Sequence, residues 1–208
     1  MKYTFFQKVQ IYGIKLMAKI HWKQTDSLTG DDDVILKELF KNDYYIIATR
    51  RGNYFTTLGI AFGNFMLTGK WGFYSHVLMN LEDEVKTDND YRFIEATGKG
   101  THYSSYSGVF TGVDAVALIK PKHMPIEEWT AALDKMKEFL GVPYDNLFDL
   151  KNSTEINCVE LIRLALEKTP HYSERFSEFE RMISKTKKLT PDMFARCSDF
   201  EVIYSVKR

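Results

Sequence analysis

Alternation of apolar and polar residues over positions 71–81 predicts a β-strand in the middle of the chain. Odd-numbered residues fall on one face of this strand, and even-numbered residues, among them His76, fall on the other. The charged and polar run 82–90 then predicts a turn. A second strand is predicted over residues 91–97 and is closed by the glycine-rich residues 98–100. Two strands around one polar loop indicate an antiparallel hairpin.

The remaining periodicity predicts helices towards both ends of the chain, with strands between them. Stretch 55–67 is apolar and glycine-spaced, which predicts a buried helix. This arrangement predicts an α+β fold, with a central antiparallel sheet packed by helices. Helices are predicted over residues 34–41, 55–67, 126–140 and 174–185, and another is predicted to start at residue 158. The other predicted strands cover residues 44–49, 113–119 and 201–206.

Residues 1–22 combine apolar residues with regularly interspersed lysines. The lysines interrupt the run too often for a membrane-spanning helix, and no clear signal peptide is present, so a cytoplasmic location is favoured. A basic amphipathic helix could contact a membrane surface peripherally. The favoured alternative is that its apolar side covers the domain's own core. We therefore predict an N-terminal helix and polar connector over residues 1–30, and a single domain over residues 31–208.

Composition agrees with one globular domain and narrows the classes of partner. The 208 residues are 44% hydrophobic and 27% charged, which suffices for one substantial core. Lys+Arg and Asp+Glu number 28 each, so overall charge gives no indication of nucleic-acid binding. No His or Cys spacing indicates a zinc site, and no glycine motif indicates a nucleotide site. We therefore expect no metal and no cofactor.

The segment that begins at Asn157 places a cysteine at the first turn of a predicted helix. Asn157 is a good N-cap, and Glu160 stands three residues on, as in a capping box. A thiol at a helix N-terminus has a lowered pKa, and its thiolate is the reactive form. The alternative is a buried structural cysteine. A disulfide with Cys197 is conceivable, but it would block this chemistry, so we expect Cys158 to be free.

A cysteine nucleophile needs a base, usually a histidine, that a third polar group orients. His76 is the best candidate for the base. If the hairpin turn is centred between Val85 and Lys86, Glu95 lies directly opposite His76 and can hold its ring. A one-residue slip would turn Glu95 to the other face, and a plain structural ion pair is the alternative. His102 could replace Glu95 as the third group.

The order of these groups resembles that of the circularly permuted papain-fold hydrolases related to the NlpC peptidases, in particular their YiiX-like branch. The resemblance runs from about residue 40 to the C-terminus, and Val159 stands where that family often has serine. The matching motifs are the strand Asp43 to Arg50, the helix Phe55 to Leu67, Ser75-His76-Val77, Phe93-Ile94-Glu95-Ala96, Tyr144-Asp145-Asn146-Leu147-Phe148, Cys158-Val159-Glu160-Leu161, and the closing segment from Leu189 to Val202.

The resemblance implies a permuted papain-like fold with a catalytic Cys158, His76 and Glu95. It also implies that Tyr144 donates a hydrogen bond to a developing oxyanion, whereas simple packing of Tyr144 and Phe148 against the loop is the alternative. Substrates would be peptides, other amides or lipid-linked acyl groups. We therefore expect a cysteine hydrolase or acyltransferase. The competing class is a non-catalytic lipid- or ligand-binding protein on the same fold.

Overall fold

The computed structural model describes residues 27–52, 69–81, 91–146, 154–186 and 189–208, with the shorter stretches 12, 57, 59–62 and 65. The predicted N-terminal helix, residues 1–22, lies outside this part except for Tyr12, which is helical. None of the described helices is long and apolar enough to cross a bilayer.

Six strands form one sheet, in which every neighbouring pair is antiparallel. Its spatial order is β4-β3-β2-β1-β5-β6. The strands are β1 (Ile46–Arg50), β2 (His76–Asn80), β3 (Tyr91–Thr97), β4 (Gly100–Ser105), β5 (Ala115–Pro121) and β6 (Phe200–Lys207). The helices are α1 (Gly30–Asn42), α2 (Tyr106–Phe110), α3 (Ile126–Lys137), α4 (Cys158–Leu166), α5 (Tyr172–Arg175), α6 (Ser177–Thr186) and α7 (Asp192–Arg196).

Helices cover both faces of the sheet. Alternate strand residues point to opposite faces and belong to two separate hydrophobic clusters. One cluster joins Val77, Met79 and Ile94 to helices α3, α4, α6 and α7. The second cluster joins Leu78 and Phe93 to helices α1 and α2. The predicted α+β class, with an antiparallel sheet packed by helices, is confirmed.

Helix α1 begins four residues before the predicted start at residue 34, within the predicted polar connector. The Thr29 hydroxyl accepts a bond from the Asp32 backbone N–H, and the Asp32 carboxylate accepts one from the Thr29 backbone N–H. This reciprocal pair is a capping box, and the acidic first turn also suits the positive end of the helix dipole. The acidic residues therefore start the helix.

The predicted burial of stretch 55–67 is wrong for two of its rings. The described residues 57, 59–62 and 65 are helical, but the exposed fractions of Phe62 and Phe65 are 51% and 37%. Both rings contact the exposed ring of Trp71, at centroid distances of 5.9 and 5.1 Å. The three aromatic side chains pack on one another at the surface.

Strand β2 begins five residues later than the predicted start at residue 71. Both carboxylate oxygens of the buried Asp192 accept the Phe73 backbone N–H, at 2.9 and 3.0 Å. The Ser75 backbone N–H donates to Thr49 O at 2.9 Å, and strand pairing proper begins with His76 opposite Thr49. Helix α7 thus fixes the chain that leads to His76.

Candidate active site

His76 is the first residue of β2, so its ring lies at the end of the sheet. On the neighbouring strand β1, Thr49 lies opposite His76. The His76 side chain is 23% exposed. An imidazole at this position can contact solvent and protein groups at once.

The register between β2 and β3 differs from the predicted one by two residues. Met79 lies opposite Ile94, whereas the prediction set Arg92 there. The expectation that Glu95 lies directly opposite His76 is therefore wrong, because the long polar connection between the strands does not fix their register. A shift of two residues keeps both side chains on the same face, and diagonal neighbours remain within reach of long side chains. Glu95 Oε2 lies 2.6 Å from His76 Nε2.

Cys158 is the first residue of α4, and the predicted cap of this helix is present. Asn157 Oδ1 accepts the backbone N–H groups of Val159 and Glu160, at 3.1 and 3.0 Å. Glu160 Oε2 accepts a 3.4 Å bond from the Asn157 side-chain amide, which holds the cap in place. The helix therefore begins with its first turn satisfied and with the thiol at the positive end of its dipole.

The thiol of Cys158 contacts the ring of His76. Glu95 occupies Nε2 of this ring, so Nδ1 is the nitrogen left for the sulfur. The backbone N–H of Val77 and the Tyr144 side chain also hydrogen-bond to the sulfur. The structure thus brings Cys158, His76 and Glu95 into one connected chain of polar contacts.

Burial and pairing act in opposite directions on the pKa values of these three groups. Burial alone would lower the pKa of His76, but hydrogen bonds to Cys158 and Glu95 and the charges of both outweigh it and raise the pKa to about 10. Burial would raise the pKa of Glu95, but His76 and Ser104 lower it to about 2. Burial would likewise raise the pKa of Cys158, and the His76 ring lowers it instead. The arrangement favours a thiolate–imidazolium pair.

Tyr144 lies against the same sulfur. A short parallel bridge joins Tyr144 to Ile156, the residue two before Cys158. Burial and the Cys158 thiolate raise the pKa of Tyr144 well above its ordinary value, and its oxygen accepts the backbone N–H of Cys158. The tyrosine hydroxyl and this N–H therefore lie together beside the thiol, with the N–H bonded to the tyrosine oxygen and the hydroxyl bonded to the sulfur. Phe148, the alternative packing partner of Tyr144, lies outside the described residues.

The two cysteines are both free and both buried, so they do not form a disulfide. The exposed fraction of Cys158 is 2%. Solvent reaches the pair through the partly exposed ring of His76. Burial, with the nearby Asp199, raises the pKa of Cys197 to about 12. The two thiols therefore have opposite electrostatic surroundings.

His102 does not take the place of Glu95 in the contact with His76. It lies on β4 directly opposite Glu95, and its Nε2 stands 3.6 Å from Glu95 Oε1. Ser104, which the sequence analysis did not single out, donates a short hydrogen bond to the same oxygen. Residues 102 and 104 lie on the same face of β4, because side chains alternate along a strand. The sequence does not predict β4, so this alternation alone could have pointed to Ser104.

Among the residues that the structure describes, no group of three or more His, Cys, Asp or Glu side chains could hold a metal ion.

Comparison with known proteins gives a likeness of fold. No family model matches the chain. No curated protein matches its sequence. The structure is similar to the crystal structure of the metalloprotein YiiX (DUF1105) from Escherichia coli O157:H7, with a TM-score of 0.54 and 13% sequence identity. The match covers 81% of this chain and 98% of that one. The chain therefore has a YiiX-like α+β fold.

Proposed function

We propose that this chain is a cysteine hydrolase or acyltransferase that acts through Cys158, His76 and Glu95. The observation that carries the proposal is the thiol of Cys158 against an imidazole that a carboxylate holds at 2.6 Å. The order of these groups along the chain, which resembles that of the permuted papain-fold NlpC-type hydrolases, supports the same chemistry.

In the proposed reaction, the Cys158 thiolate attacks the carbonyl carbon of the substrate and forms a carbon–sulfur bond. The carbonyl oxygen takes the negative charge and replaces the Tyr144 oxygen as acceptor of the Cys158 backbone N–H. The Tyr144 hydroxyl, released from the sulfur as the carbon–sulfur bond forms, donates the second hydrogen bond. His76, held by Glu95, gives its proton to the leaving amine or alcohol as the carbon–heteroatom bond breaks. A thioester to Cys158 remains.

The second half of the reaction resolves this thioester. His76, now neutral, takes a proton from water or from another acceptor, whose oxygen or nitrogen attacks the thioester carbonyl. The thiolate leaves, and the proton that His76 has gained restores the ion pair. Substrates in this proposal are peptides, other amides or lipid-linked acyl groups.

The test is capture of the acyl-enzyme. The protein is mixed with activated acyl esters, thioesters and peptide amides, and the mass of the intact chain and of its peptides is followed. We expect an acyl adduct on Cys158 that decays with turnover, no adduct in Cys158→Ala, and an unchanged adduct in Cys197→Ala. Turnover by Cys158→Ala at the wild-type rate would contradict the mechanism.

The buried position of the sulfur favours one alternative, a protein that binds a ligand beside these three residues without turnover. This alternative predicts that acyl compounds bind to wild type and to Cys158→Ala equally well and that neither protein becomes acylated.

A further inference from the structure

The two carboxylate oxygens of Glu95 have different partners. Oε2 faces His76 Nε2 at 2.6 Å, and Oε1 accepts a short hydrogen bond from the Ser104 hydroxyl. Glu95 and Ser104 are both buried. A carboxylate bound at both oxygens cannot rotate without breaking one of the two bonds.

Backbone pairing fixes the position of Ser104. Ser104 lies directly opposite Phe93, two residues before Glu95, so its side chain projects on the same face of the sheet as Glu95. The pairing of β3 with β4 continues from there to Thr97 opposite Gly100. Gly100 suits this tight return, because its φ is +94° and an added Cβ would lie 2.8 Å from Val142 O.

Ser104 is better placed than His102 to hold Glu95. His102 Nδ1 lies 2.8 Å from Gly100 O, so this nitrogen carries a proton and donates to the carbonyl. His102 Nε2 lies 3.6 Å from Glu95 Oε1, a separation too long for a hydrogen bond. The Ser104 hydroxyl is a donor whatever the charge of its neighbours.

We propose that Ser104 is a positioning residue, which fixes the Glu95 carboxylate so that its other oxygen orients the His76 ring towards Cys158. This inference rests on the proposed function. Ser104 touches neither the thiol nor the ring, so it acts through Glu95. Without it, the carboxylate can rotate, the ring is held less well, and the thiolate loses part of its support.

The experiment measures the alkylation rate of Cys158 by iodoacetamide against pH, by site-resolved mass spectrometry, in wild type and Ser104→Ala. In Ser104→Ala we expect the rate near pH 6 to fall roughly tenfold, the scale of one hydrogen bond to a charged group, and the midpoint to move to higher pH. Ser104→Thr keeps the hydroxyl and should recover most of the rate. If Ser104 had a purely structural role, Ser104→Ala would leave the midpoint pH of Cys158 alkylation unchanged.

Thr101→Val is the matched control. Thr101 is buried on the same strand, and its hydroxyl has no hydrogen-bond partner among the described residues. Its backbone N–H donates to Val142 O, a bond that valine keeps. We expect Thr101→Val to leave the profile of Cys158 unchanged.

The outcomes separate this inference from the proposed function. A wild-type profile in Ser104→Ala, with a slow profile in His76→Ala, would overturn the role of Ser104 and leave the proposed function standing. Cys158 reacting as slowly as Cys197 in the wild-type protein near pH 6 would overturn the proposed function itself.

Discussion

At the scale of single residues, the chain contains a matched pair of buried thiols. Cys158 is hydrogen-bonded to an imidazole and stands at a helix N-terminus, and its pKa is lowered. Cys197 lies near Asp199, and burial together with this carboxylate raises its pKa to about 12. Burial alone pushes both values upwards. The two pKa values diverge because the His76 ring, with the Val77 N–H and the Tyr144 hydroxyl, stabilises the thiolate of Cys158, whereas the charge of Asp199 opposes that of Cys197.

The residues of this pair show what a sequence can indicate about a site. The local cap at Asn157 indicates Cys158, and strand alternation indicates His76. Glu95 follows from a hairpin register that is wrong by two residues, and a shift of two keeps it on the same face as His76. Ser104 was not indicated, because its role depends on β4 pairing with β3, and a short strand rich in Ser and Thr has no apolar alternation.

At the scale of elements, α4 fixes the direction and the depth of the thiol. The buried Asn157 side chain satisfies two backbone N–H groups in its first turn. Because Cys158 is the first helical residue, loosening this turn displaces the sulfur as well as the helix end. The Asn157 cap therefore affects both the stability of the protein and the reactivity of the Cys158 thiol.

We predict that Asn157→Ala lowers the free energy of unfolding by about 1–2 kcal/mol, the usual cost of losing a helix cap. Urea unfolding measures the change, and alkylation of Cys158 in the same protein should become slower near neutral pH. Asn157→Ser, which supplies another good capping side chain, is the control and should retain most of both properties. Equal stability of Asn157→Ala and wild type would refute the capping role.

The elements of the hairpin were predicted better than their register. Strand β3 has the predicted bounds, Tyr91–Thr97, because alternation of apolar residues marks it. The register was wrong by two residues, since alternation defines faces and leaves even shifts undetermined. The prediction that residues 98–100 close the hairpin is wrong, because these residues form a tight turn into β4.

At the scale of the whole molecule, polar contacts join segments that are distant along the chain. Arg208, next to the end of β6, binds the Asp32 carboxylate at 2.7 and 2.8 Å and the Thr29 hydroxyl at 3.2 Å. These two residues form the capping box of α1. The start of α1 is thus tied to the end of the edge strand.

We predict that Arg208→Ala lowers the free energy of unfolding by about 1 kcal/mol at neutral pH, a modest value because the arginine is partly exposed. Burial would raise the pKa of Asp32, but bonds from Thr29 and Arg208 lower it. A lowered folded-state pKa stabilises the protein above the ordinary value of 3.8, and this contribution is lost as pH falls through the lowered value. The difference between wild type and Arg208→Ala should therefore shrink in acid.

Chemical unfolding of both proteins at neutral and acidic pH measures this difference. Arg181→Ala is the matched control, because Arg181 pairs with Glu178, only three residues away on the exposed side of α6, and its unfolding curve should match that of wild type. A pH-independent loss in Arg208→Ala would mean that the arginine acts by packing.

The α+β class could be predicted from the sequence because the periodicity of each long element is a local property. The contact of Arg208 with α1 could not be, because it joins residues 176 positions apart. The surface position of Phe62 and Phe65 was equally hidden, since an apolar run looks the same whether it packs in the core or against Trp71.

The role of His76 in sustaining the Cys158 thiolate is tested by the pH dependence of alkylation of both cysteines in one sample. We predict that the midpoint pH for alkylation of Cys158 by iodoacetamide lies below that of an ordinary thiol and that His76→Ala moves it to higher pH, because the ring sustains the thiolate. Cys197 should react only as pH approaches its raised pKa of about 12. Parallel profiles for the two thiols, unchanged in His76→Ala, would show that His76 does not sustain a thiolate at Cys158.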